Sequence, residues 1–233
     1  MEAITELKEN WITRKTAPGT YPKTVLMITI LVLGALTYIG NYFNADAWMS
    51  ASGESVFQNH EYWRLWSTLF AHGDLGHIMG NLFLFAPFAF FLIGHFSAWY
   101  FPLLGFLMGG IVNYFVLMTM PAHIELIGAS GVVYWMGASW MTLSFLIDRR
   151  ESMKKRIVKV IGVSMILFLP DSLRPNVSYL SHFLGYVLGA ISGAIVYLIK
   201  HRAFQAAEVW ETHFEDDSEP EEDDPSDWNH TEA

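Results

Sequence analysis

Residues 128–147 read Gly128-Ala129-Ser130-Gly131-Val132-Val133-Tyr134-Trp135-Met136-Gly137-Ala138-Ser139-Trp140-Met141-Thr142-Leu143-Ser144-Phe145-Leu146-Ile147. No charged residue interrupts this stretch, and one serine stands in the glycine-rich turn at its start. A second apolar stretch, near 178–199, carries a single histidine, His182. Polar and ionisable groups are costly at membrane depth and by default mark function. A serine and a histidine in two such stretches therefore need a chemical reason to be there.

The rest of the chain supports a membrane reading. Of 233 residues, 52% are hydrophobic and only 16% charged, against about 25% charged in an ordinary soluble domain. The apolar residues cluster into runs long enough to cross a bilayer. Six spans are expected, near 24–44, 75–94, 97–120, 129–147, 157–170 and 178–199. The fifth is short and starts close to Lys159. The first follows a polar head, residues 1–23, and is too long for a signal-peptide core, so it reads as an uncleaved span. Cysteine is absent, which excludes disulfides, thiolate metal sites and a thiol nucleophile.

The net charge of −9 divides unevenly. Residues 208–233 hold twelve acidic side chains and no Lys or Arg. The remainder has fourteen basic and eleven acidic residues, so 14 − 11 gives +3. Residues 201–233 read as an acidic, disordered tail that cannot bury enough apolar surface to fold alone. Lys and Arg gather in the head, in the 149–159 loop and at Lys200 and Arg202, while only Arg64 and Arg174 fall on the other side. The positive-inside rule then places both termini in the cytoplasm. The 45–74 loop becomes external. Its aromatics (Trp48, Phe57, Tyr62, Trp63, Trp66) suit partial immersion in the outer leaflet.

With that topology, Ser130, His182 and His77 each stand 18 residues above the cytoplasmic end of their span. At 1.5 Å per residue this is about 27 Å, within a hydrocarbon core of about 30 Å. The three residues share one level just below the outer face. Ser130 begins a helix, where orphan N–H groups and the positive dipole end can meet an oxyanion. Gly128 and Gly131 permit a tight turn. His182 is followed by Gly185, Gly189 and Gly193 at intervals that let two helices approach closely. Such an approach would bring the imidazole to the hydroxyl as its general base. Tyr134, four residues after Ser130, lies on the same face and could pack on the imidazole. His77 and Asn81 share one face of the second helix and can both donate hydrogen bonds. His72 and His77, five apart, would diverge on a helix, so no metal site is expected there, and His72 is assigned to hydrogen bonding within the external loop. The absence of Asp or Glu inside the last four spans argues for a Ser–His dyad without a third carboxylate.

Together these residues resemble the rhomboid family of intramembrane serine proteases, over most of residues 60–193. Trp63-Arg64 looks like that family's Trp-Arg motif. His72, His77 and Asn81 fit its His-x4-His-x3-Asn pattern, Gly128-Ala129-Ser130-Gly131 its Gly-x-Ser-Gly, and His182, Gly185 and Gly189 its His-x2-Gly-x3-Gly. The resemblance implies an all-α membrane protein: a six-helix rhomboid-like bundle over residues 24–200 with a large membrane-associated first external loop. It implies Ser130 as nucleophile and His182 as base. His77, Asn81 and the Ser130 amide would form the oxyanion hole, and the Trp63-Arg64 loop would be structural. Substrates would be transmembrane proteins cut near the outer face of the cell (inner) membrane, entering past a mobile fifth span. No cofactor, metal or nucleic-acid partner is expected. Two places depart from the family's usual choices: Ala138, where glycine is frequent, and the Tyr179-Leu180-Ser181 segment, bulkier than the small residues common before the histidine. A catalytically silent, helix-binding relative is the alternative. A channel is disfavoured by the apolar lower halves of the spans, Trp140 to Ile147 and Ala190 to Ile199.

Overall fold

The structure, a computed structural model, describes residues 2–172 and 177–215. Six long helices dominate it: α1 (Thr20–Ile39), α2 (Leu75–Phe96), α3 (Gly105–Leu117), α4 (Ser130–Ile147), α5 (Met153–Ser172) and α6 (Tyr179–Ala206). A turn at Trp99–Leu104 leads directly into α3. Among the described residues, five helices are long and apolar enough to cross a membrane. They are α1, α2, α4, α6 and the continuous Trp99–Leu117 stretch. The helix at the fifth expected span, α5, is not among them. Lys154, Lys155, Arg156 and Lys159 occupy its first half, and each cation is expensive in hydrocarbon.

The helix at the centre is α4. Two thirds of it (67%) is buried inside the protein, against 17% of α1, which lies at the periphery. Its residues 131–139 are buried without a break, so its first half has no outward face. A helix apolar all round must be wrapped by others. Trp135 and Met136 are fully buried in the main core, alongside Phe88, Leu92, Phe96 and Tyr100.

The tightest pairing is α4 against α6, and small residues make it possible. A Cβ placed on Gly185 would lie 2.2 Å from the Gly131 carbonyl oxygen. One on Gly189 would lie 2.3 Å from the Trp135 carbonyl, and one on Gly193 2.9 Å from the Ser139 carbonyl. The two backbones touch at four-residue intervals, the contact geometry of small-xxx-small helices. Ala138 packs against Gly189 (its Cβ 3.0 Å from that position) and is 1% exposed, so alanine is accommodated there. Ser139 Oγ donates to the Gly189 carbonyl at 3.0 Å, and Trp135 Nε1 donates to Ser192 Oγ at 3.1 Å.

Three boundaries differ from the sequence reading. The first helix ends at Ile39, not near 44, because Asn41, Phe43 and Asn44 take positive φ, a region closed to a continuing right-handed helix. The last helix runs past 199 to Ala206. The third difference corrects the tail. Residues 209–215, expected to be disordered, form strand β2 (Val209–Glu215), antiparallel to β1 (Glu2–Glu9) in the head. Neither segment shows a clean apolar–polar alternation, and each supplies the other's backbone hydrogen-bond partners. Among the described residues the fold is thus mostly helical with one small ribbon, which brings Glu2–Glu9 and Val209–Glu215 together on one side of the bundle. Residues 216–233 of the expected acidic tail, and Arg174, lie outside the described residues.

Candidate active site

The 45–74 loop builds the platform. Arg64, 8% exposed, donates from Nε to Glu61 Oε2 at 2.6 Å and from Nη1 to the Ser50 carbonyl at 2.9 Å, and Nη2 meets the Ala47 carbonyl. One guanidinium thereby gathers three points of the 47–64 loop, a task suited to its fixed fork of donors. Trp63 beside it is exposed. One turn later Thr68 reaches the other loop. Its carbonyl accepts from Gly128 N at 3.0 Å and its hydroxyl bonds the Leu126 carbonyl. Ala51 and Leu126 exchange two backbone hydrogen bonds. The loop before Ser130 is held on both sides.

Gly128 takes φ +111°, a value side chains rarely adopt. It is also where α2 comes close. A Cβ there would lie 2.8 Å from His77 Nε2 and 3.9 Å from Asn81 Nδ2. His77 and Asn81 thus face the turn that presents Ser130. Asp74 caps α2 by accepting from His77 N at 2.8 Å, which fixes where the helix begins and hence where His77 points. Ser130 is the first residue of α4. The helical ladder opens with Val133 N to the Ala129 carbonyl at 3.0 Å, so the Ser130 N–H precedes it, as helix N-terminal amides must.

From α6, Ser181 and Gly185 press on Gly131, with Ser181 Oγ 2.6 Å from the position a Gly131 Cβ would take. Ser181 is the small residue that this contact requires, between Leu180 and His182. The His182 ring is 3% exposed and stacks on Tyr134, centroids 4.0 Å apart and planes 11° from parallel. Tyr134 is one helical turn from Ser130, so the imidazole lies against the α4 face that carries the serine. Tyr134 is itself fixed: its hydroxyl donates to the Phe168 carbonyl of α5 at 2.7 Å, and its ring meets the Phe168 ring at 4.7 Å.

The remaining histidine corrects a simple helical reading. His72 precedes α2, so five-residue divergence does not apply, and its ring sits 4.8 Å from that of His77. His72 Nδ1 faces the Phe70 carbonyl at 3.2 Å and must carry the proton. Its Nε2 then accepts from Asn81 Nδ2 at 2.9 Å. Burial pushes the His72 pKa down to about 4, so the imidazole is neutral at neutral pH.

Sequence reasoning missed Thr68, Ser181, Asp74 and Phe168. Asp74, three residues before His77 at the start of an apolar run, carried a readable capping signal. The other three act through tertiary contacts with no local signature.

A Rhomboid domain model matches residues 59–199. The chain belongs to the rhomboid family. Its matched region holds every candidate residue named above, from Trp63 to Gly189. As a rhomboid with five helices, among the described residues, long and apolar enough to cross a membrane, it is an integral membrane protein: an intramembrane protease or a protein related to one. Rhomboids are typically serine proteases acting on transmembrane substrates in the bilayer. A search of curated proteins gives no match to the chain.

Proposed function

We propose that this rhomboid is an active intramembrane serine protease, with Ser130 as nucleophile and His182 as general base. The observation that carries this reading is the His182–Tyr134 stack, which holds the imidazole against the Ser130 face of α4. The glycine-lined α4–α6 contact supports it, because it brings the starts of the two helices together.

In the proposed reaction, Ser130 Oγ attacks a carbonyl of an unwound substrate segment, and His182 takes the hydroxyl proton. The tetrahedral oxyanion is met by His77, by the second amide hydrogen of Asn81 and by the Ser130 N–H. Asn81 spends one Nδ2 hydrogen on His72 and has one left for the oxyanion. His182 then delivers its proton to the leaving amine. Water entering from the external side hydrolyses the acyl-enzyme, returning Ser130. A helical substrate hides its carbonyls in hydrogen bonds, so it must unwind locally first.

Both ends of the described chain meet in the β1–β2 ribbon, which requires an even number of crossings. This supports α5 as a sixth crossing beside the five apolar helices. Arg149, Arg150, Lys154 and Lys155, at the same end of the bundle, support a cytoplasmic position for that side. The deciding experiment is cleavage of a model transmembrane substrate by wild type and Ser130→Ala in liposomes, paired with fluorophosphonate labelling. Cleavage and labelling by wild type alone establish the reading. A folded wild type that neither cleaves nor labels would leave a helix-binding relative instead.

A further inference from the structure

At the opposite end of α4 from Ser130, a cavity of about 310 Å³ opens between α2, α4 and α5. It is of the size of small-ligand pockets, roughly 300–1,000 Å³. Much of its lining is apolar: Phe88, Trp140, Met141, Val160 and Val163. Its mouth is charged, with Asp148, Glu151, Arg156 and Lys159.

The charges at the mouth do not cancel. Asp148 is engaged by Arg150 through two bonds of 2.8 Å, and also accepts from Asn10 Nδ2 at 2.9 Å. Glu151 pairs with Lys159 at 3.2 Å. Arg156 has no carboxylate partner among the described residues. Its Nη1 donates to the Phe145 carbonyl at 2.6 Å, and Nη2 contacts Met153 Sδ at 3.8 Å. Its Nε is buried with no hydrogen-bond partner, as is Ser144 Oγ, which lines the same cavity. Buried polar atoms are normally satisfied, and an uncompensated cation beside an apolar chamber favours an anionic amphiphile. Basic pockets between spanning helices accept lipid headgroups in this way.

We infer that this cavity binds one anionic phospholipid, its acyl chain against Phe88, Met141 and Val163 and its phosphate on Arg156 and Ser144. The site is independent of the catalytic reading and can be tested without a substrate.

The test is native mass spectrometry of the full-length protein in detergent. It is titrated separately with dioctanoyl phosphatidylglycerol, dioctanoyl phosphatidylcholine and inorganic phosphate. The wild type should retain one phosphatidylglycerol about tenfold more tightly than phosphatidylcholine. Arg156→Gln should erase that preference, and Lys154→Gln, an exposed charge outside the cavity, should keep it. Val163→Trp, which adds bulk to the apolar lining and spares Arg156, should weaken both lipids. Unchanged preference in Arg156→Gln would overturn the site, and so would unchanged retention in Val163→Trp should Arg156→Gln fail to fold. Phosphate binding as tightly as phosphatidylglycerol would overturn the lipid assignment.

Discussion

Asn81 donates from Nδ2 to His72 Nε2 at 2.9 Å, and this contact decides which way the amide turns. With the oxygen of Asn81 directed away from the imidazole, its NH2 group is held near Gly128 and the start of α4. The loop histidine thereby sets the direction of a side chain proposed to stabilise the transition state. Asn81→Ala should lower kcat by about 10²-fold, the scale for one lost oxyanion donor. Full activity in that variant, measured on a transmembrane substrate in liposomes, would remove Asn81 from the oxyanion hole.

His72 makes stability depend on pH. Its pKa is pushed down to about 4 by burial, against about 6.5 in an unfolded chain. Above 6.5 neither state binds the proton and the contribution is intact. As pH falls from 6.5 toward 4, the unfolded state takes up the proton first, so stability is lost across that window. Wild type should therefore lose more thermal stability than His72→Gln between pH 7 and about 4.5. Parallel melting curves for the two would contradict the assignment.

Two glycines should respond in opposite senses. Gly185→Ala drives a methyl onto the Gly131 carbonyl, and backbone cannot step aside, so α4 and α6 must separate. A loss of roughly 1–3 kcal/mol is expected, the range for overpacking, together with loss of cleavage. Around Gly162 in α5 there is open space. Gly162→Ala should stabilise by about 0.5–1 kcal/mol through helix propensity alone. Unfolding midpoints of the pair check both signs.

Arg64→Lys should not rescue Arg64→Ala. A single ammonium cannot reach Glu61 and the Ser50 and Ala47 carbonyls together. Both variants should lose about 1–3 kcal/mol from unsatisfied buried groups, and faster hydrogen exchange at Ala51 and Leu126 would report the loosened loop.

Removing residues after Ala207 deletes β2 and the Arg149–Glu208 ion pair. The partner strand then has no ladder, so trypsin should cut at Lys8 faster than in the intact chain. Equal rates would show that β1 holds its place without β2.

Much of the site was legible because helical periodicity carries it. Four-residue spacing put Gly185, Gly189 and Gly193 on one stripe, and the backbone contacts of α4 follow that stripe. The same spacing paired Tyr134 with Ser130, and the imidazole stacks where that face predicts. Legibility failed where partners are distant in sequence or outside regular structure. Thr68 anchors Leu126 and Gly128 from about sixty residues away. The ribbon joins Glu2 to Glu215, and neither strand has enough apolar residues to announce itself. His72 was judged by a helical wheel that does not extend to it.

The ribbon also fixes how the protein would answer mechanical load. Glu2 pairs with Glu215 at its open end, and Glu9 with Val209 at the end nearest the bundle. A pull on the two ends opens this ladder like a zipper, one hydrogen bond after another, at low force. The ribbon therefore yields before tension reaches α1 or α6, and acts as a mechanical fuse for the helices that carry Ser130 and His182.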